Sequence, residues 1–167
     1  MQVNSQVDPA ALVERLVAEA TPRPGALETW RSFLQAHATL LRRLAGDLVQ
    51  ATGLSLGDFD VLAQLAVAGG ELRMSELAAR AFSSRSGMTR RVARLVDEGL
   101  VTRTNDKADA RGVIVSLTDA GIARLAEAAP VHLRGVVELF VSQLTDEELA
   151  LLKSALDKVT ADSLFGT

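Results

Sequence analysis

The stretch Leu72-Arg73-Met74-Ser75-Glu76-Leu77-Ala78-Ala79-Arg80-Ala81 reads as a short helix, and Ser83-Ser84-Arg85-Ser86-Gly87-Met88-Thr89-Arg90-Arg91-Val92-Ala93-Arg94-Leu95-Val96 as a second one. Glu98-Gly99-Leu100-Val101 closes that second helix and starts a strand. A polar tip, Asn105-Asp106-Lys107-Ala108-Asp109-Ala110-Arg111-Gly112, precedes another short strand, Val113-Ile114-Val115-Ser116-Leu117. Residues 72–117 thus spell helix, helix, hairpin.

Placed around a circle of 100° per residue, Met88, Val92, Leu95 and Val96 share one face of the second helix, which must point into the domain. Ser86, Arg90, Ala93, Arg94 and Asp97 fall opposite, with Thr89 and Arg91 on the flanks. Arg85 lies nearer the buried side by angle, but at the free N-terminal end it can swing out. From Arg85 to Arg94 there are four arginines and no acid, although the whole chain carries a formal charge of −3. Ser86, Gly87 and Ala93 leave little bulk on the outer surface, so the helix can press close to a partner. In a major groove, arginine donates two hydrogen bonds to O6 and N7 of guanine, while short hydroxyls and lysines serve phosphates. The helix N-terminal N–H groups at Ser84 to Ser86 also favour a phosphate.

Taken alone, these arginines fit an ordinary solvated helix face. The hairpin shifts the balance. Its tip carries Lys107 and Arg111 beside Asp106 and Asp109, and such a wing can lay an arginine in the adjacent minor groove. Asp109, two residues before Arg111, can orient that guanidinium by a charge-assisted pair. The acids also suit a turn, where they bond their own backbone. A basic helix with one apolar face, preceded by a short helix and followed by a charged hairpin, makes a winged helix-turn-helix, and its expected partner is double-stranded DNA. The expected DNA-contacting residues are Ser84, Arg85, Ser86, Thr89, Arg90, Arg94, Lys107 and Arg111, with Asp109 supporting the wing.

The remaining composition sets bounds. The 167 residues, 48% apolar and 23% charged, suffice for an ordinary core and resemble neither a disordered nor a membrane-embedded chain. No apolar run approaches the roughly 18 residues that cross a bilayer, and the N-terminus lacks a signal-peptide layout, so a cytoplasmic protein is expected. Without cysteine there is no disulfide, thiolate zinc site or thiol-based redox sensing. His37 and His132 are the two histidines, neither in a ligand spacing, so no metal and no cofactor are expected. Residues 83–111 carry seven basic and four acidic side chains, which concentrates positive charge on an otherwise acidic molecule.

Helices flank this segment on both sides. Asp8-Pro9 resembles a cap and first helical position, giving a short helix over 9–20, and Thr21-Pro22-Arg23-Pro24-Gly25 breaks it. Leu27, Trp30, Leu34, His37, Leu41, Leu44 and Leu48 then alternate steps of three and four, a stripe on a helix of about 24 residues. Ser55 with Asp58 opens a helix bearing Phe59, Leu62 and Leu65. Thr118 caps a helix over 119–140 that Pro130 is expected to kink, and Thr145-Asp146-Glu147-Glu148 is a full capping box before Leu149, Leu152, Leu156 and Val159. The expected division is an N-terminal extension (1–25), a dimerisation helix (26–54), a DNA-binding lobe (55–117) and C-terminal dimerisation helices (118–164). The outer helices hold more apolar surface than a small lobe can cover. Either they form an intramolecular bundle or a second copy buries them in a symmetric dimer, and a dimer could read a palindrome with half-sites about one turn apart.

The chain resembles the MarR family of bacterial regulators over roughly residues 27–162. The resemblance rests on Leu54-Ser55-Leu56-Gly57-Asp58-Phe59-Asp60-Val61-Leu62, Met74-Ser75-Glu76-Leu77-Ala78 and Ser84-Arg85-Ser86-Gly87-Met88-Thr89-Arg90. It continues through Glu98-Gly99-Leu100-Val101 with Arg103, Asp106 with Asp109, Arg111 and Gly112, and Leu117-Thr118 with Gly121. It implies a mainly α fold with a small β-hairpin wing, and a homodimer whose N- and C-terminal helices interlock. It also implies a pseudo-palindromic operator read by residues 84–94, with Arg111 as the wing-tip minor-groove arginine, and it leans toward repression. Many such regulators release DNA when a small, often aromatic and anionic, effector enters a crevice beside the dimerisation helices. Trp30, His37 and Phe59 are candidates to line one here, although aromatic residues at such positions more often serve core or interface.

An enzyme is not expected: the chain has no G-x-G-x-x-G, G-x-x-x-x-G-K or G-x-S-x-G, and Gly69-Gly70 suits an interhelix turn. The rival reading is a protein-interaction module that docks a partner through the same winged-helix surface without specific DNA binding.

Overall fold

Hydroxyl and carboxylate caps decide where several helices of this chain begin. The computed structural model describes residues 8–20, 23, 25–80, 85–106 and 112–163, which divide into two units, Met1–Leu41 and Arg42–Thr167. In the first unit, helix α1 spans Pro9–Ala20. Proline at its first position has no N–H to leave unsatisfied, and the Asp8 carboxylate accepts from the Ala10 N–H at 3.0 Å. No residue of α1 is buried, and Val13 and Leu16 are exposed. Helix α2, Ala26–Thr52, is 27 residues long and runs from the first unit into the second. On its first half Trp30 stacks on Phe33 with ring centroids 5.9 Å apart, and Phe33 on His37 at 6.2 Å. The i, i+3, i+4 spacing of a helix face brings these three rings together.

In the second unit, Ser55 caps helix α3 (Leu56–Val67) by accepting from the Asp58 N–H at 3.2 Å. Strand β1 (Glu71–Arg73) leads into α4 (Met74–Arg80), and α5 (Arg85–Asp97) follows. Strands β2 (Val101–Asn105) and β3 (Val113–Leu117) form the hairpin. Helix α6 (Asp119–Leu139) starts at Thr118, whose Oγ1 accepts from the Gly121 N–H at 3.0 Å, and it continues through Pro130 without ending there. Helix α7 (Asp146–Ser163) begins with the expected reciprocal capping box: the Thr145 N–H donates to Glu148 Oε2 at 2.8 Å, and the Glu148 N–H donates to Thr145 Oγ1 at 3.2 Å.

One element departs from the sequence expectation. Leu72 and Arg73, assigned above to the start of a helix, belong to β1, which pairs antiparallel with β3 in the order β1-β3-β2. Leu72 sits opposite Val115, and both are buried. Gly69 and Gly70, with φ of 89° and 106°, make the turn that delivers β1 to this edge, and the Leu117 N–H donates to the Gly70 carbonyl at 2.8 Å.

The core of this unit joins Leu48 of α2, Phe59, Val61, Leu62 and Leu65 of α3, Leu77 of α4, Met88, Val92 and Leu95 of α5, Val101, Val115 and Ala128. Helix α5 is thereby held from behind by its whole apolar face. Arg124 of α6 donates to the Thr52 carbonyl, satisfying the C-terminal end of α2 with a cation.

Candidate nucleic-acid interface

Helix α5 buries Met88, Val92 and Leu95 to 1% exposure or less, so its opposite side must face outward. Ser86, Thr89, Arg90, Arg94 and Asp97 are exposed, and positions 86, 89 and 90 share one face by the three- and four-residue spacing. Arg90 forms no ion pair with another described residue. Ser84, Lys107, Asp109 and Arg111 lie outside the described residues, as does the side chain of Arg85.

Arg94 is exposed, yet its guanidinium turns back to the lobe. Its Nη2 donates to both carboxylate oxygens of Asp58, at 2.5 Å to Oδ2, and its Nε lies 3.8 Å from Glu98 Oε1. The hydrogen bond and the charge of Asp58 together raise the proton affinity of Arg94 above the ordinary guanidinium value, so it is a permanent cation. Asp58 itself is only 5% exposed and also accepts from Ser55 Oγ at 2.5 Å. Arg91 approaches the same carboxylate, with Nε 3.8 Å from Oδ1. Its guanidinium lies across Gly57, where any Cβ would overlap it. Asp58 therefore gathers one hydroxyl and two arginines at the point where α5 meets α3. The sequence marked Asp58 as part of a cap; that it also faces α5 is a property of the tertiary packing.

At the base of the wing, Arg73 Nη2 of β1 pairs with Asp106 Oδ2 at 2.5 Å, and the Asp106 N–H donates to the Gly112 carbonyl at 2.9 Å. The third strand thus ties down the point from which residues 107–111 depart.

The three candidate effector residues are not alike. Trp30 and His37 lie in the N-terminal unit, joined through Phe33. Phe59 is in the core of the other unit, with its ring centroid 4.5 Å from that of His132 on α6. His132 was not singled out by the sequence. Its Nδ1 is buried without a hydrogen-bond partner among the described residues, and burial lowers its proton affinity, partly offset by the charge of Asp60.

The sign of this effect on stability follows from proton uptake. The unfolded imidazole binds a proton near pH 6.5, whereas the folded one does so only at lower pH. Unfolding therefore takes up a proton in that interval, and stability falls as pH drops through about 6.5 until the folded value is passed. Thermal melts from pH 8 to 5 should show a steeper acid loss for the natural chain than for His132→Gln. Parallel curves would mean that His132 does not titrate in this way.

Comparison with known proteins agrees with this geometry. A family model described as MarR family matches residues 34–112. An uncharacterized HTH-type transcriptional regulator of Bacillus cereus is 31% identical over 117 residues, spanning 70% of this chain and 77% of that protein. Two solved structures from Streptomyces coelicolor, each 30% identical and each covering 88% of this chain, share the fold. One is AbsC, a MarR family transcriptional regulator, with a TM-score of 0.79 over 99% of its own chain. The other is Sco3205, a MarR family transcriptional regulator in complex with DNA, with a TM-score of 0.80 over 92% of its chain.

Proposed function

Because the chain belongs to the MarR family of transcriptional regulators, we propose that it binds a pseudo-palindromic DNA operator as a homodimer and represses the adjoining genes until a small aromatic or anionic effector releases it. The observation that carries this reading is the outer face of α5, where exposed Arg90 stands with Ser86 and Thr89 on a chain that is acidic overall. The DNA complex of the similar Sco3205 supports it. Ser84, Arg85, Ser86, Thr89, Arg90 and Arg94 serve the major groove in this reading, with Lys107 and Arg111 of the wing, supported by Asp109, serving the adjacent groove. Residues 55–117 act as the reading lobe, and residues 26–54 and 118–164 as dimerisation helices. The effector is proposed to act by favouring a spacing of the two recognition helices that does not fit successive grooves, with Trp30 and His37 in the first unit and, separately, Phe59 in the second as its candidate contacts.

The homodimer is supported by apolar side chains that α7 and one side of α6 leave exposed within one chain. No residue of α7 from 146 to 161 is buried, and Leu151 and Val159 are 72% and 67% exposed. Ile122, Leu133 and Val137 on α6 are also exposed. Apolar area of this extent, on helices with well-formed caps, asks for a partner surface.

Sheared genomic DNA retained by the purified protein should contain a recurring inverted repeat with half-sites about one turn apart. Retention without a motif, or none in moderate salt, would favour the protein-docking module. On the repeat so found, Arg90→Ala should cost about 1–3 kcal/mol if Arg90 reads a base, and less, with a shallower salt dependence, if it meets only phosphate. Titration of labelled operator at several salt concentrations separates the two. Unchanged affinity would remove Arg90 from the interface.

A further inference from the structure

Helix α5 carries three arginines with described side chains, but the surrounding lobe treats them differently. Arg90 is exposed and forms no ion pair with another described residue. Arg94 and Arg91 converge on Asp58, a carboxylate 5% exposed at the first turn of α3. Asp58 cannot follow a swinging partner, because its backbone N–H and its Oδ2 are both bonded to Ser55. Gly57 adds to the arrangement: a Cβ there would overlap the Arg91 guanidinium, which lies over the first turn of α3 and would have to shift. A buried carboxylate deprived of such partners loses far more than an exposed one.

We propose that Asp58 is a positioning residue for DNA recognition: it fixes the height and rotation of α5 against α3 through Arg94 and keeps that arginine from the phosphates. This rests on the DNA-binding reading above and revises one part of it, since Arg94 then acts through Asp58 rather than on DNA. The apolar face alone leaves α5 some freedom, because side-chain packing tolerates small shifts. A two-oxygen contact to a fixed carboxylate removes that freedom. Such a shift matters at a groove, where bidentate contacts to base edges depend on sub-ångström placement.

The test uses the full-length chain and an operator fragment it retains. Affinity is measured for the natural chain, Arg94→Lys, Arg94→Gln and Asp58→Asn across a range of salt, with circular dichroism confirming the folded state at the assay temperature. Arg94→Lys keeps the positive charge, but its Nζ ends one bond short of the Nη2 position from which Arg94 meets both oxygens. A positioning role predicts that Arg94→Lys and Arg94→Gln each lose about tenfold in operator affinity, as Asp58→Asn does. It also predicts that the double variant Asp58→Asn/Arg94→Gln loses no more than either, and that the salt slope is unchanged.

A phosphate contact by Arg94 predicts the opposite pattern. Arg94→Lys then binds nearly as well as the natural chain, Arg94→Gln lowers the salt slope by about one, and Asp58→Asn does not weaken binding. That result overturns the proposal. So does a lowered melting temperature with unchanged operator affinity, which would make the pair merely structural. If Asp58→Asn does not fold, the contrast between Arg94→Lys and Arg94→Gln, both changed on the exposed partner, decides the matter alone. Failure of the natural chain to bind any fragment specifically would instead sink the DNA-binding reading itself, and it is visible before any variant is made.

Discussion

With Leu152 and Leu156 both replaced by aspartate, the chain is expected to sediment as a monomer and to bind its operator about a hundredfold more weakly. Leu149, Leu152, Leu156 and Val159 form one stripe on α7 by steps of three, four and three. No residue of α7 belongs to the apolar core described for the lobe. Two carboxylates on that stripe therefore leave the lobe intact while placing charges where a second copy would have to desolvate them. Half-site reading then proceeds one lobe at a time. The second contact no longer gains from the high effective concentration that linkage provides, which accounts for the size of the loss. Sedimentation velocity and operator titration on the same samples check both halves of the expectation. A variant that remains dimeric moves the interface away from α7. A monomeric variant with undiminished affinity, or a natural chain already monomeric at micromolar concentration, would remove dimerisation from the mechanism.

What the sequence disclosed about this molecule was mostly local. The caps at Ser55, Thr118 and Thr145 are each set by residues three apart, and all three form. The buried face of α5 follows from a period of 3.6 residues and needs no knowledge of its surroundings. Strand β1 was not legible in the same way. It has three residues, too few for an alternating pattern, and it exists because β3, more than 40 residues later, offers an edge. The Asp58–Arg94 pair joins positions 36 apart. A helical wheel gives the direction in which Arg94 leaves its helix, but it cannot supply a carboxylate on another helix that draws the side chain back. Gly57 beside the capping acid leaves the space that Arg91, the second arginine at that carboxylate, takes over the first turn of α3, and a glycine there sacrifices helix propensity. The same limit applies to His132, whose ring partner Phe59 comes from a helix more than 60 residues earlier.

Gly121 provides the sharpest steric test of how the lobe is joined to α6. It is buried in the first turn of α6, its N–H is held by Thr118 Oγ1 at 3.0 Å, and a Cβ there would run into the Leu100 carbonyl. That carbonyl accepts from the Thr118 N–H at 3.2 Å, while Thr118 Oγ1 donates to the Gly99 carbonyl at 2.7 Å. Backbone cannot rotate aside as a side-chain tip can. Gly121→Ala must therefore push α6 away from the corner where α5 ends and β2 begins, loosening both bonds. Alanine gains about 1 kcal/mol in helix propensity, but overpacking against backbone outweighs it, and a net loss of about 2–3 kcal/mol is expected, lowering the melting temperature by roughly 5–10 °C. Gly46 of α2 is the matched control, since a Cβ there meets no atom within 4 Å. The same substitution at Gly46 should leave stability unchanged or raise it by up to about 1 kcal/mol. Both variants add one methyl to a helix, one against backbone and one into open space. Opposite signs in a urea or thermal melt would locate the constraint in the α6 contact with Leu100, and equal effects would show that this corner yields without cost.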